Sequence, residues 1–507
     1  MAQTEKTRRA IRAAVLALLA LACSCGVRAQ SADKVLKNYV KAIGGEKKLK
    51  TIRNLLSTGD VRDLATGQSG SFTLETSAPD SFYLEMTGEG LARSEGFNGR
   101  SGWEQNSGGA PSTLAGLRSA QLRATAFYWN DHFQTYSKLG AQASPAGQEA
   151  VDGNTANVVE MKTRAGVQRK FFFDAKSGML LKEVEEGEGA EGETLFSDYR
   201  PVDGILEPFH LVFRSGKRTL EVTMRDVRHN TQMDNRVFAF PEKSAAPLPN
   251  PEELMRELEK NQKQLELIRK NYTYTRDETG LATDDKGKTR EKEVNTHEVF
   301  FLGGEEVDRL IAKDGKPLAD QEKRKEDERI DKIYKKFEAK KKKEAAAAGS
   351  PEKDEEGGDV GIKDFLGIPQ LINPRRERFH GKEMLVFDFQ PRPGFKPKNL
   401  HERLVQTLSG VIWIDENAKE VVRLEARTND NFNVGGGLVV SLQRGMYFAF
   451  EQEFIRDEVW LPSYMEAHFA ARALLFVHLK GDVIERFSNY KKFGSDIQIQ
   501  RAPAEKQ

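Results

Sequence analysis

The sequence predicts an α+β fold that is mainly antiparallel β, with two curved sheets in tandem, each opened by a helix and each burying one apolar face. Three observations predict it. First, KFFFDAKSGMLLKE (residues 170–183) and GVIWIDENAKEVVRLE (residues 410–425) share one design. In each, an apolar run closes on an aspartate (Asp174, Asp415), four turn-type residues follow, and a half-apolar run reaches a basic residue eight positions on (Lys182, Arg423). That is the pattern of a β-hairpin.

Second, the likeness extends outward. DGNTANVVEMKT, from Asp152, lies against HGKEMLVFDFQP, from His380, with Gly153 matching Gly381. YRPVDGILEP, from Tyr199, lies against EFIRDEVWLP, from Glu453, with Asp203 matching Asp457 and Pro208 matching Pro462. Three collinear matches with different loop lengths between them are what a duplicated domain leaves and a fixed-period array does not, with convergent meander chemistry as the alternative.

Third, side chains alternate along a strand, so parity sorts them into faces. Val159 and Met161 share a face, as Leu385, Phe387 and Phe389 do, while Glu160 and Asp388 point the other way. Phe171 and Phe173 match Ile412 and Ile414, with both hairpin aspartates on the opposite face beside Phe172 and Trp413. A sheet with one strongly apolar side must bury it. With too few helices to sandwich two large sheets, each sheet is expected to curl around its apolar face and be plugged by flanking helices. Val159, Met161, Phe171, Phe173, Leu385, Phe387, Phe389, Ile412 and Ile414 are then the candidate residues for an apolar ligand site. A filled core and a ligand cavity both satisfy this pattern.

Taken in order, the chain of 507 residues has length for about three average domains, which suits two large ones plus extras. Residues 1–29 read as a secretory signal: Lys6, Arg8, Arg9 and Arg12 precede an apolar run from Ala13 to Leu21, and Val27 and Ala29 occupy the small-residue cleavage positions. The apolar run is too short for a membrane span. A chain beginning at Gln30 keeps 73 basic and 76 acidic residues and loses both cysteines, Cys23 and Cys25, so it has neither disulfides nor thiolate ligands. The expected location is the periplasm. The alternative is a lipid anchor on Cys23, because ALAC resembles a lipoprotein signal although Ala20 stands where that motif prefers leucine.

Residues 31–52 are helical, with Val35, Leu36, Tyr39 and Ile43 on one face and Gly44 and Gly45 as the stop; a short second helix follows. Strands fill residues 55–85, GFNGRSGWE (96–104) is a glycine-punctuated turn with Trp103 opening a strand, and residues 113–133 return to helix carrying Leu114, Leu117 and Phe127. The repeated strands continue to DNRVFAFP (234–241), and the proline- and alanine-rich residues 241–249 mark a boundary. A second opening helix then starts, with Asn250 as cap, Pro251 in its first turn, Glu253 completing a capping box, and Leu254, Leu258, Leu265 and Ile268 as its stripe. Strands follow at 272–276, 293–302 and 307–313.

Residues 313–360 interrupt the second copy. Between Asp320 and Glu344 stand eleven basic and eight acidic residues, with Ile330, Ile333, Tyr334 and Phe337 at helical spacing; residues 345–361 read as linker. A basic arm over residues 320–344 could meet anionic lipid headgroups as a peripheral membrane contact, or an acidic partner, or be a solvated helix in a tolerated loop.

The search for chemistry is negative. Charged residues make up 31% and the net charge is +1, which excludes the strong basic excess of a nucleic-acid-binding protein. The eight histidines lack metal-ligand spacing, HEVFF is not a zinc motif, and neither His468 nor His478 has a sequence-local partner. No phosphate loop, dinucleotide fingerprint or nucleophile elbow occurs. Gly435 to Gly437 precede a strand, so a bend or bulge suits them better than a phosphate cradle. No catalytic residue, metal site or cofactor is expected, and the chain is read as a non-enzyme; a site assembled from distant carboxylates is the exception this leaves open.

Together YVKAIGG (39–45), GFNGRSGW (96–103), the strand after DGNTANVVEM, the FFFD hairpin and the VDGILEP turn resemble bacterial envelope proteins of the outer-membrane lipoprotein-sorting class, the LolA, LolB and RseB-like family. The resemblance spans most of residues 31–241 and, more weakly, 250–493, and is a fold-level pattern with no active-site signature. It implies two tandem LolA-like half-barrels, with helices covering the concave faces and a cavity that shelters acyl chains. The division is then 1–29 signal peptide, 30–241 first half-barrel, 242–270 linker and helix, 271–493 second half-barrel with the insertion 313–360, and 494–507 tail. The carrier of that family is a single domain, and its lid residues do not align onto named positions of this chain. The expected function is accordingly periplasmic binding of a lipid, a lipoprotein acyl chain or another apolar ligand, with an envelope protein as a further partner. A non-catalytic sensor or interaction scaffold and an unrecognised hydrolase are the alternatives.

Overall fold

The computed structural model describes residues 30–163, 165–186, 192–241, 247–283, 289–346, 365–434, 440–442, 444–455, 459–468 and 482–492. The expectations for the signal segment with Cys23 and Cys25, the linker beyond residue 346, Gly435 to Gly437, Asp457, His478 and the tail lie outside these residues.

Among the described residues the strands build two large antiparallel sheets, of thirteen and eleven strands, neither closed into a barrel, and one small hairpin of Phe432–Val434 with Val440–Leu442. Both large sheets follow one route. After the helix Ala32–Ile43, six strands from Asn54–Asp63 to Ser112–Thr113 meander down one flank. The helix Gly116–Asp131 then crosses, and seven strands from Gln142–Val151 to Arg218–His229 return until the last pairs with the first, Leu55 opposite His229. The second half repeats this with the helix Pro251–Arg269, four strands from Tyr272–Thr283 to Lys316–Pro317, the helix Asp320–Ala346, and seven strands from Gln370–Phe379 to Asp482–Lys492. It too joins last strand to first, with Arg276 opposite Phe487. The charged segment expected as an arm over residues 320–344 is a helix of 27 residues.

The hairpins at Asp174 and Asp415 join the third and fourth strands of their seven-strand runs, and local chemistry shapes both alike. Asp174 Oδ1 accepts from the N–H groups of Lys176 (3.0 Å) and Ser177 (2.6 Å); Asp415 Oδ1 accepts from those of Asn417 (2.9 Å) and Ala418 (3.0 Å). This is the Asx turn that makes aspartate a turn residue. Four residues after each aspartate the backbone is left-handed, at Gly178 (φ 77°) and Lys419 (φ 53°). Seven residues after, the pairing skips one residue, Leu181 or Val422, giving each hairpin a bulge at the same offset.

The opening helix of each half covers the inner face of its sheet. Val35, Leu36, Tyr39 and Ile43 join Leu122, Phe127 and Tyr128 of the crossing helix in the first core. Leu254, Met255 and Leu258 enter the second core, so the helix over residues 251–269 packs with the second sheet. Two stripe positions depart from expectation: Leu117 is 36% exposed and Ile268 is 37% exposed. Leu117 lies in the first turn of its helix, where the sheet is covered instead by Leu114 and Leu122.

The halves meet where an edge of the first sheet sits on the outer face of the second, and the junction is ionic and buried. Asp388, pointing away from the apolar face as parity requires, is fully buried and accepts from Arg375 Nη1 (3.1 Å), Asn373 Nδ2 (2.8 Å) and Asn98 Nδ2 (3.0 Å). Glu377 accepts from the N–H of Thr113 (2.6 Å) and from Arg375 Nε (2.8 Å), and Arg427 donates to the carbonyls of Gly99 and Arg100. Buried charges at such a seam hold only because each has its partners.

Candidate functional site

The nine candidate residues fall into two sets, one per sheet. Val159, Met161, Phe171 and Phe173 lie in the first core and Leu385, Phe387, Phe389, Ile412 and Ile414 in the second, all on the inner faces and all at most 1% exposed. Side chains fill the space around them. Phe133 stands 4.7 Å from Phe171 between ring centres, Tyr128 is 5.2 Å from Phe171, and Tyr39 is 5.3 Å from Phe173. In the second half Phe365 stands edge-on to Phe389 at 4.9 Å. Phe133 reaches the interior because it and His132 are both left-handed (φ 62° and 47°), turning the chain sharply at the end of the helix Gly116–Asp131.

Beside this packed interior the first half holds a pocket of about 320 Å³, between the helix Ala32–Ile43 and the hairpin tip. Val35, Ala42 and Phe173 supply its apolar lining, and Asn38, Lys41, Asn157, Lys176 and Ser177 its polar one. The helix stripe that buries Val35 and Tyr39 leaves Asn38 and Lys41 on the flank turned toward the hairpin. The carboxylate of Asp174, also at the pocket, is engaged by its own turn and by the Ser177 hydroxyl (2.8 Å).

At the corresponding place in the second half the gap is plugged. Asn261 Nδ2 donates to the carbonyls of Ala418 (2.8 Å) and Lys419 (3.0 Å) and to Glu420 Oε1 (2.8 Å), and Gln262 Nε2 donates to Glu420 Oε2 (2.8 Å). Burial pushes the Glu420 carboxyl up to about 8, against the opposing hydrogen bonds of Gln452 and Gln262.

Parity reasoning missed one charged residue on the inner face. Arg169, 3% exposed, lies opposite Met161 and binds Glu183 (2.6 Å), Glu185, the carbonyl of Gln121 (3.0 Å) and Thr125 Oγ1 (2.7 Å). It ties the crossing helix to the sheet. The signal is present in the sequence, since Arg169 has the parity of Phe171 and Phe173, but it stands just before the run that opens at Lys170. A second buried group is His229, whose Nε2 lies 3.0 Å from Glu207 Oε1 and whose Nδ1 lies 3.4 Å from Asp203 Oδ2. Burial lowers its affinity for a proton, and the two carboxylates outweigh that and raise it. His468, read as lacking a local partner, binds Glu466 two residues away (2.6 Å). Among the described residues no group of three or more His, Cys, Asp and Glu could hold a metal ion, and no helix is long and apolar enough to cross a membrane.

Neither a protein-family model nor a curated protein sequence matches this chain. Solved structures do. A LolA superfamily protein from Nitrosomonas europaea is similar at a TM-score of 0.30 and 10% identity, over 42% of this chain and 98% of that one. A DUF1329 family protein from Desulfovibrio piger is similar at a TM-score of 0.30 and 11% identity, over 41% and 96%. MucB in complex with MucA(peri) is similar at a TM-score of 0.18 and 8% identity, over 92% of this chain and all of that one. Likeness of this degree carries no argument about what the chain binds.

Proposed function

We propose that this chain is a duplicated envelope protein that binds an apolar or lipid-bearing ligand in its first half, between the helix Ala32–Ile43 and the hairpin at Asp174. The observation that carries the reading is the pocket of about 320 Å³ at that place, set beside the inner-face residue Phe173 and matched in the second half by a sealed contact. Its volume lies at the lower end for small-molecule sites, which run from about 300 Å³ upward. The ligand is an amphiphile: its apolar part lies against Val35, Ala42 and Phe173 while a polar or anionic head rests between Lys41 and Lys176.

A longer apolar chain is admitted when the opening helix lifts, because Phe173 is closed from water in the present arrangement. Gly44 and Gly45 (φ 144° and 89°) form the pivot, and a Cβ at Gly44 would stand 2.8 Å from the carbonyl oxygen of Gly204. Each buried methylene then contributes about 0.8 kcal/mol, so a chain of ordinary length needs no polar contact beyond its head.

The test is native mass spectrometry of the full chain purified from the bacterial envelope, beside an Ala42→Trp variant that fills the pocket without entering the core. Bound lipid in the parent and its loss from a variant that melts cooperatively is the expected result. A variant that carries as much lipid as the parent overturns the assignment. The ionic junction around Arg375, Glu377 and Asp388 favours a second reading, a rigid non-catalytic sensor or scaffold. Its mark is a stable protein partner that co-purifies without lipid.

A further inference from the structure

The helix Asp320–Ala346 is the largest feature that the binding reading leaves without a role. Its apolar stripe is already spent. Ile330 is buried, the Tyr334 ring stacks on Phe300 at 6.5 Å, and the Phe337 ring lies against Gly303, where a Cβ would stand 2.0 Å from it. Three acidic residues of its first half turn toward the sheet, while Asp320, Glu328 and Asp331 stay exposed. Glu322 pairs with Lys313 (3.0 Å), Glu326 accepts from the N–H of Leu310 (2.9 Å), and Asp327 pairs with Arg309.

What faces water in the second half is lysine. From Lys332 to Lys343 the sequence holds seven lysines and one acidic residue, Glu338. Lys332, Lys335, Lys336, Lys341 and Lys342 are all exposed. Lys332, Lys335 and Lys336 are spaced as neighbours on one helical face. That face is offset by two residues, more than half a turn, from the inward stripe of Ile330, which is buried, and Ile333, Tyr334 and Phe337, which are half-buried.

We propose that this lysine face binds the surface of an anionic lipid bilayer by charge alone, without insertion. A chain with a net charge of +1 has no general attraction for polyanions, so the cation density is local to the helix. Lysine ammonium groups are point charges with no bidentate geometry, which suits a diffuse layer of headgroup phosphates better than a shaped acidic pocket. Single-stranded nucleic acid is disfavoured because the aromatic residues of this stretch, Tyr334 and Phe337, pack inward and leave no ring for a base. Since the apolar stripe is turned toward the sheet and away from the lysine face, the attraction must be screened over a Debye length of about 8 Å at physiological salt.

The test is cosedimentation of the full chain with vesicles of mixed phosphatidylcholine and phosphatidylglycerol, and with phosphatidylcholine alone, across a salt series. Binding only to the anionic vesicles, with complete release at high salt, is expected. The variant Lys332→Gln, Lys335→Gln, Lys336→Gln, Lys342→Gln should bind them about a thousandfold more weakly. Glutamine keeps similar helix propensity, so circular dichroism should be unchanged. Equal binding to neutral vesicles, retention at high salt, undiminished binding by the folded variant, or capture by polyglutamate without any vesicle binding would each overturn the proposal.

Discussion

Glu425, on the outer face of the second sheet, accepts a hydrogen bond of 2.6 Å from the backbone N–H of Gly116, the first residue of the helix that crosses the first sheet. The residue before that helix, Ala115, has no side chain that could cap it, so the other half of the chain supplies the acceptor and a negative charge at the positive end of the helix dipole. The same carboxylate holds Arg423 through Nε (2.9 Å) and Nη2 (2.6 Å), and both residues are buried.

Glu425→Ala should therefore remove a cap and unpair part of a buried ion pair, at a cost of about 3 kcal/mol. Glu425→Gln keeps an acceptor and should cost about half as much. Urea unfolding measures both. A change for the alanine variant within about 0.5 kcal/mol, the range of an ordinary surface substitution, would show that the junction does not depend on this contact.

His229 gives the fold a pH dependence of stated sign. Its carboxylate neighbours Glu207 and Asp203 outweigh burial and raise its folded pKa above the free value. The stabilisation is complete below the unfolded pKa of about 6.5 and is lost as pH rises through the folded value. His229→Gln should flatten that fall in thermal midpoint as pH rises above the unfolded value. An identical slope in parent and variant would remove His229 as its source.

Glu420 acts in the same direction from an acid. With its folded pKa pushed up to about 8, its contribution is present below the unfolded carboxyl value and is lost as pH rises toward the folded one. Glu420→Gln cannot ionise, and Asn261 and Gln262 can still meet it. The variant should match the parent at acid pH and exceed it by on the order of 5 kcal/mol above pH 8. A variant less stable than the parent at that pH would contradict the assignment of a neutral buried carboxyl.

The hairpins, the opening helices and the face of each candidate residue were legible because each rests on a short-range rule: period two along a strand, helical spacing, or an aspartate turning its own chain. The network of Arg375, Glu377 and Asp388 with Thr113 and Asn98 was not. Arg375 and Thr113 are 262 residues apart, and nothing near either predicts the other. Phe133 was hidden for another reason. Its place in the core follows from two successive left-handed residues, a conformation that phenylalanine does not advertise. The pocket was equally illegible, since one half leaves space beside Asn38 while the other closes it with Asn261, a difference of side-chain reach between helices of like pattern.

The two hairpin tips allow a reciprocal experiment. Gly178 and Lys419 stand at the same offset from their aspartates and both are left-handed, but only glycine takes that conformation without steric cost. A Cβ at Gly178 would lie 3.4 Å from the Asn38 carbonyl oxygen and 3.5 Å from Ala42, which is ordinary contact. Gly178→Ala should thus cost about 1–2 kcal/mol, all of it backbone strain. Lys419→Gly relieves the same strain at the second tip and gives up an ion pair with Glu257 (2.8 Å) that is partly exposed and worth little. Part of the gain is returned as extra freedom of the unfolded chain, so a net stabilisation of about 0.5 kcal/mol is expected. Chemical denaturation of the two single variants decides the matter. If the glycine introduced at 419 destabilises the protein while the alanine at 178 is neutral, the tips are not equivalent turns and the matched geometry has a different cause in each half.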